Sequence, residues 1–259
     1  MLRLCANLGF LFCEVPFLDR FAAAAKAGFA GVEYASPYEH PARELKARLD
    51  DNGLIQVLIN TIPGDRAKGD RGLACVPGRE AEFRATVDQA LDYAGALGCE
   101  RIHVLAGVPP RGMSREAALD LYKRNFAWAG EKAVKQGVRL MIEPLNPKDA
   151  PGYLIATQEQ GAAMVEAIGR DRTGLQFDTY HCQLSQGNLA NRLAALMPAI
   201  GHIQIGDVPE RHEPGTGEIA WDYLFRRIDA LGYDGWIGCE YNPAGETEAG
   251  LGWRQRFGV

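Results

Sequence analysis

The chain predicts a closed α/β barrel, a (β/α)8 fold of eight parallel strands with helices between them, spanning residues 1–259 as a single domain. Three observations predict it. Short apolar runs alternate with helical patterns, glycines close the helical patterns, and several of the runs end on a polar side chain. Strict strand–helix alternation implies a parallel sheet. A length of 259 residues suits a closed barrel of this kind, which takes about 250.

The elements follow in order. LCANL (4–8) opens as the first strand. Gly28 then precedes GVEY (31–34), Gly53 precedes LIQVLIN (54–60), and Gly98 precedes RIHVL (101–105). Gly137 leads into VRLMIE (138–143), Gly169 into TGLQF (173–177), Gly201 into HIQI (202–205), and Gly232 into WIGCE (236–240). A glycine after a helix is the expected left-handed stop, since it has no Cβ to clash there.

Between these runs the periodicity is helical. Phe83, Val87, Ala90, Leu91, Ala94 and Leu97 share one helix face. Leu119, Tyr122, Phe126, Ala129 and Ala133 share another behind Ser114, an N-cap type. Thr157 with Gln160 reads as a capping box, and Leu224, Ile228 and Leu231 mark the helix before Gly232. An open doubly wound sheet is the rival fold. No glycine-rich phosphate turn follows the first strand, which disfavours it and predicts no nucleotide cofactor.

Composition narrows the function. Hydrophobic residues make up 47% and charged residues 24%, an ordinary globular balance. A net charge of −5 with no basic stripe argues against a nucleic-acid partner. The six cysteines are scattered without a CxxC pair, so thiols in a reducing cytoplasm are expected rather than a disulfide framework. The N-terminus lacks a signal-peptide core, and no run approaches the roughly 18–20 apolar residues of a membrane span. GxSxG, GxxxxGK[ST] and HExxH are all absent, which removes three hydrolase and phosphoryl-transfer chemistries.

The chemistry is expected at the strand ends. LMIEP (140–144) ends on Glu143, LQFD (175–178) on Asp178, HIQI carries Gln204, and IGCEY (237–241) carries Glu240. Burying bare carboxylates is costly, so four oxygen-bearing groups at successive strand ends make sense if they converge on one cation. An oxygen-rich set suits Mg²⁺ or Mn²⁺. Three long loops, 61–78, 143–156 and 206–219, follow strand C-termini, where such barrels place their active sites.

Substrate contacts are expected from four further residues. His181, in FDTYH, and Arg211, whose guanidinium suits a carboxylate or carbonyl, are the first two. Asn7 and Asn60, at the ends of strands one and three, are the others. Arg66 and Arg71 are weaker candidates for Arg211's task. His202 lies on the Gln204 face of its strand as a candidate support for the metal site, whereas His103 and His40 suggest no role. Trp128 and Trp253 are expected on exposed helices, where they would offer contacts for a homo-oligomer.

The ordered set PGD (63–65), ACVPGREAEFR (74–84), IEPLN (142–146), QFDTYH (176–181), GHIQIGD (201–207), EPGTGEI (213–219) and GCEY (238–241) resembles the hydroxypyruvate isomerase family. That family is one of the xylose isomerase-like TIM barrels, and the resemblance runs from about residue 2 to about residue 253. EPGTGE after a GHIQI strand is its most specific mark.

The resemblance implies a metal-assisted isomerase of a small sugar acid, in carbohydrate and glyoxylate metabolism. Hydroxypyruvate and tartronate semialdehyde (2-hydroxy-3-oxopropanoate) would interconvert through an enediol. It places the catalytic pair on Glu143 and Glu240, and the metal set on Glu143, Asp178, Gln204 and Glu240. Gln204 departs from the histidine frequent at that position in the wider superfamily. The same residues also suit a 2-oxotetronate isomerase acting on four carbons, with a ketose 3-epimerase or an inosose dehydratase-like enzyme as further alternatives.

Overall fold

The computed structural model describes residues 2–259. Its eight strands are all parallel and close into a barrel in chain order. They are β1 (Arg3–Asn7), β2 (Gly31–Glu33), β3 (Ile55–Asn60), β4 (Arg101–His103), β5 (Arg139–Ile142), β6 (Thr173–Asp178), β7 (Ile200–Ile205) and β8 (Trp236–Cys239). β8 closes on β1, with Ile237 opposite Leu4 and Gly238 opposite Cys5. The strands are buried almost throughout, because helices cover their outer faces and side chains fill the interior.

The long helices form where the periodicity places them. The helix Glu80–Leu97 buries Phe83, Val87, Ala90, Leu91, Ala94 and Leu97. Ser114 caps Arg115–Val134 by accepting from the Ala117 N–H at 3.1 Å. Thr157 caps Gln158–Ile168 by accepting from the Gln160 N–H at 3.3 Å. Gln160 in turn accepts from the N–H of Ala156, one residue upstream of the position a capping box specifies.

Two glycines differ from expectation. Gly28, Gly53, Gly98, Gly137 and Gly232 do turn left-handed after their helices. Gly169 instead has φ 122° and ψ 129°, outside the left-handed helical region. Gly201 lies within β7 and stops no helix. It is needed for close packing, since a Cβ there would stand 2.9 Å from the Met141 sulfur.

Neither tryptophan expected on an exposed helix is fully exposed. Trp253 is buried, stacked on Phe225 with ring centroids 5.8 Å apart and donating from Nε1 to the Tyr241 hydroxyl at 3.0 Å. Trp128 is half-buried beneath the side chains of Arg84 and Lys132. The cysteines are all free thiols, and five of the six are buried. Among the described residues no helix is long and apolar enough to cross a membrane.

Candidate active site

Every strand carries a polar side chain at or next to its C-terminal end. In barrel order these are Asn7, Glu33, Asn60, His103, Glu143, Asp178, Gln204 and Glu240. The parallel barrel gathers them at one mouth, where loops 61–78, 143–156 and 206–219 also lie. All but Asn60 and Glu240 are nearly inaccessible to solvent. Polar groups buried this deeply need partners, and the partners define the site.

Arg211 ties the acidic residues together. Its Nη2 donates to Asp178 Oδ2 at 2.9 Å and to Glu240 Oε1 at 2.6 Å. The guanidinium lies over the rings of Phe10 and Tyr180, 5.0 and 4.7 Å from their centroids. Its backbone holds φ at +58°, an uncommon conformation for a residue with a Cβ. The Arg211 Nε is buried without a protein partner.

The loop that carries Arg211 is organised by Asp207. This buried carboxylate accepts from the N–H groups of Val208, Gly215 and Gly217, each at 2.9 Å, from Ile219 at 3.2 Å and from Trp221 Nε1 at 2.8 Å. The GDVPERHEPGTGEI stretch therefore wraps one carboxylate, which explains why it needs small residues. A Cβ on Gly217 would meet the Val208 carbonyl oxygen at 1.9 Å.

A second buried carboxylate, Glu33, lies below the mouth. It accepts from Asn7 Nδ2 at 3.1 Å and Gln204 Nε2 at 2.7 Å, and stands 2.7 Å from His202 Nε2. Asn7 and Gln204 each continue to Glu240 Oε2, at 2.8 and 2.5 Å. Burial alone would raise the Glu33 carboxyl, but His202, Gln204 and Asn7 outweigh it and hold it below the usual range. Glu33 thereby sets two of the groups that grip Glu240.

The two glutamates of the expected catalytic pair differ from one another. Burial drives Glu143 well above the ordinary carboxylate range, and the nearby charges of Glu240 and Asp178 add to this. Its neighbours are His103 Nδ1, 3.3 Å away and out of line for a hydrogen bond, and His181 Nε2 at 3.9 Å. Burial pushes Glu240 up to about 8, against the opposing effect of Arg211. The histidines stay neutral: burial lowers His103 to about 3 and His181 to about 4.

The donor set bears on a divalent ion. Glu143, Asp178 and Glu240 form a buried acidic group with one guanidinium among them, and burial raises the carboxyls of Glu143 and Glu240. This fits a hard cation. Gln204 is turned the other way. Its NH₂ faces Glu33 and Glu240 while its oxygen accepts from Gln176 Nε2 at 2.7 Å. A donor edge cannot ligate, so Gln204 would serve only after its amide turned over.

Of the eight expected site residues, seven cluster: Glu143, Asp178, Gln204, Glu240, His181, Arg211 and Asn7. Asn60 stands apart from the hydrogen-bonded cluster. It lines a cavity of about 660 Å³ beside the mouth, together with Tyr38, Thr61, Arg66, Arg71 and Leu145. Sequence reasoning did not single out Glu33 or Asn146, and it gave His103 no role. A strand-end polar rule applied to all eight runs would have found Glu33 and His103, whereas Asn146 carries no signal of its own.

Known proteins share this architecture. The family model described as xylose isomerase-like TIM barrel matches residues 21–257. The chain is 53% identical over 257 residues to a 2-oxo-tetronate isomerase of Cupriavidus necator, covering 99% of both. It is 45% identical over 257 residues to the hydroxypyruvate isomerase of Escherichia coli K12, covering 99% of this chain and 100% of that one. A solved structure from Brucella melitensis, described as an AP endonuclease of family 2, is similar with a TM-score of 0.96 and 44% identity, covering 99% of each chain.

Proposed function

Because this chain belongs to the xylose isomerase-like TIM barrel family and is an isomerase, we propose that it moves a carbonyl between C2 and C3 of a short hydroxy-oxo acid. The observation that carries this reading is the pair of buried carboxyl groups, Glu143 after β5 and Glu240 after β8, three strands apart around the closed barrel. Groups entering from different sides of the mouth suit proton transfer on two faces of a planar enediol.

For hydroxypyruvate the reaction takes a proton from C3 and returns one to C2 while the O3 hydroxyl proton passes to O2, giving tartronate semialdehyde. Glu240 accepts hydrogen bonds from Arg211, Asn7 and Gln204, all of which favour its carboxylate form. It is therefore the base at C3. Glu143 has no such donors and holds its proton more tightly, so it supplies the proton to C2. Proton transfer of this kind requires hydrogen-bond reach and a pKa near working pH.

Other side chains bind and orient. Arg211, with its unpaired Nε, holds the substrate's carboxylate or carbonyl oxygen. Asn7 is held by Glu33 and Glu240, and serves the substrate through the glutamate it grips. Glu143, Asp178 and Glu240, with Gln204 after its amide turns, would hold Mg²⁺ or Mn²⁺. A divalent ion supplies, when bound, polarisation of the substrate carbonyl and positive charge near the developing enediolate.

A four-carbon substrate, 2-oxotetronate, is favoured by a specific observation. The cavity lined by Asn60 and Leu145 lies at the C-terminal ends of β3 and β5 and is the candidate space for an extra hydroxymethylene. The higher identity to the 2-oxo-tetronate isomerase points the same way. Proton NMR in D₂O tests both, with metal-stripped and Mg²⁺- or Mn²⁺-supplemented protein incubated with each acid in turn. Turnover with solvent deuterium entering the product supports the enediol isomerase and ranks the substrates. No turnover and no C–H exchange with either acid would overturn it.

A further inference from the structure

Asn146 is fully buried in the loop after β5 and touches His181, 35 residues away. The orientation of its amide is settled by Asp149. Oδ1 of Asn146 accepts from the Asp149 N–H at 2.9 Å, and Nδ2 donates to Asp149 Oδ2 at 3.0 Å. Turned over, the amide would set oxygen against oxygen and NH₂ against N–H. The atom that faces His181 is therefore the amide nitrogen, 2.7 Å from Nδ1. The backbone N–H of Asn146 points at the same Nδ1 from 3.3 Å.

Two N–H donors converging on one ring nitrogen leave that nitrogen no proton of its own. A neutral imidazole carries a single N–H, which must then sit on Nε2. That atom faces the acidic group, 3.9 Å from both Glu143 Oε1 and Asp178 Oδ2, too far for a direct hydrogen bond to either. Among the described residues no acceptor takes its proton, which is left for an oxygen of a bound molecule.

We propose that Asn146 is a positioning residue that locks His181 as the Nε2–H tautomer, so that His181 donates a hydrogen bond to an oxygen of the reacting acid and acts neither as a metal ligand nor as a base. This rests on the isomerase reading of the site for the identity of the acid, but the tautomer itself does not. Glu143, Asp178 and His181 bring three ligand-type atoms within 4.8 Å of one another, a grouping that resembles a metal site. The lock removes the Nε2 lone pair from that set and leaves the carboxylates for the ion. A fixed neutral donor beside a developing oxyanion lowers its energy without reorganisation.

The test is ¹⁵N NMR of protein labelled in its imidazole rings, with His181 assigned by its loss in His181→Gln. The expected spectrum shows a protonated, pyrrole-type Nε2 and an unprotonated Nδ1, unchanged by Mg²⁺. In Asn146→Ala and Asn146→Ser the tautomers should mix. There kcat should fall by about 10- to 100-fold, the scale of weakening one oxyanion donor, with KM changed by less than about threefold.

A wild-type ring protonated at Nδ1, or an Nε2 that loses its proton on adding Mg²⁺, would overturn the proposal. So would an Asn146→Ala variant that keeps both tautomer and kcat. The wild-type spectrum needs no variant to fold. Absence of wild-type turnover on either acid would sink the substrate assignment instead, and the tautomer is read separately.

Discussion

Asp207→Asn is the substitution whose consequence can be worked furthest. Oδ1 accepts from Val208 and Ile219, and Oδ2 from Gly215, Gly217 and the Trp221 ring. Asparagine keeps one acceptor oxygen and turns the other position into a donor. In the less costly orientation the oxygen replaces Oδ2, and two buried N–H groups lose their acceptor. Each unsatisfied buried donor costs about 1–3 kcal/mol, so the loss is about 2–6 kcal/mol. Against the total stability of about 5–15 kcal/mol typical of folded chains, that is large. Urea unfolding measures it. The loop also presents Arg211, so kcat/KM should fall even at temperatures where the barrel stays folded. A stability loss below about 1 kcal/mol together with unchanged kcat/KM would refute the view that Asp207 organises this loop.

Three further outcomes are expected. Glu143→Gln and Glu240→Gln should each lower kcat by about 10²–10⁴-fold, the range for general acid–base groups; turnover within about tenfold of wild type would end the two-carboxylate scheme. Glu33→Ala should destabilise the fold by about 3–5 kcal/mol, by the scale for breaking a buried charged cluster, measured by urea unfolding, and a neutral effect would show that Asn7 and Gln204 find other partners. Metal-stripped protein should lose stability as pH rises from about 6.5 to about 8. The fold there binds more protons than the unfolded chain, through Glu143 and Glu240. His103 and His181, neutral in the fold and about half protonated in the unfolded chain at about pH 6.5, offset only part of this and are neutral in both states by about pH 7.5. Stability rising across that window would contradict the sign.

The barrel was legible because its cues are local and repeated. A glycine before an apolar run recurs seven times, five of these glycines being left-handed helix stops, and each helix face repeats at 3.6 residues. The acidic residues were legible because a carboxylate at the end of an apolar run conflicts with burial. Glu33 escaped notice because β2 is three residues long and Tyr34 continues its apolar character. His103 has meaning only beside Glu143, which comes from the neighbouring strand. The orientation of Gln204 is set by Gln176 across a strand pair, and that of Asn146 by Asp149 and His181 together. Such choices depend on which donor meets which acceptor in space, and linear spacing does not encode them.

The position of Arg211 also changes the electrostatics of the site. Three carboxylates with a divalent ion would leave a formal charge of about −1, poor for binding an anionic acid. The guanidinium between Asp178 and Glu240 brings that to about zero. Without the ion, the same cluster is left two positive charges short, and the raised proton affinity of Glu143 and Glu240 offsets that deficit. Ion and protons therefore compete for one site. Binding Mg²⁺ near pH 7 should release about one proton, from Glu240, while Glu143 keeps the one it delivers to C2, and the affinity should rise with pH through about 8. Calorimetric titrations in buffers of different ionisation enthalpy count that proton directly. Mg²⁺ binding that released none would mean that the ion sits elsewhere, or that the glutamates are already ionised around Arg211.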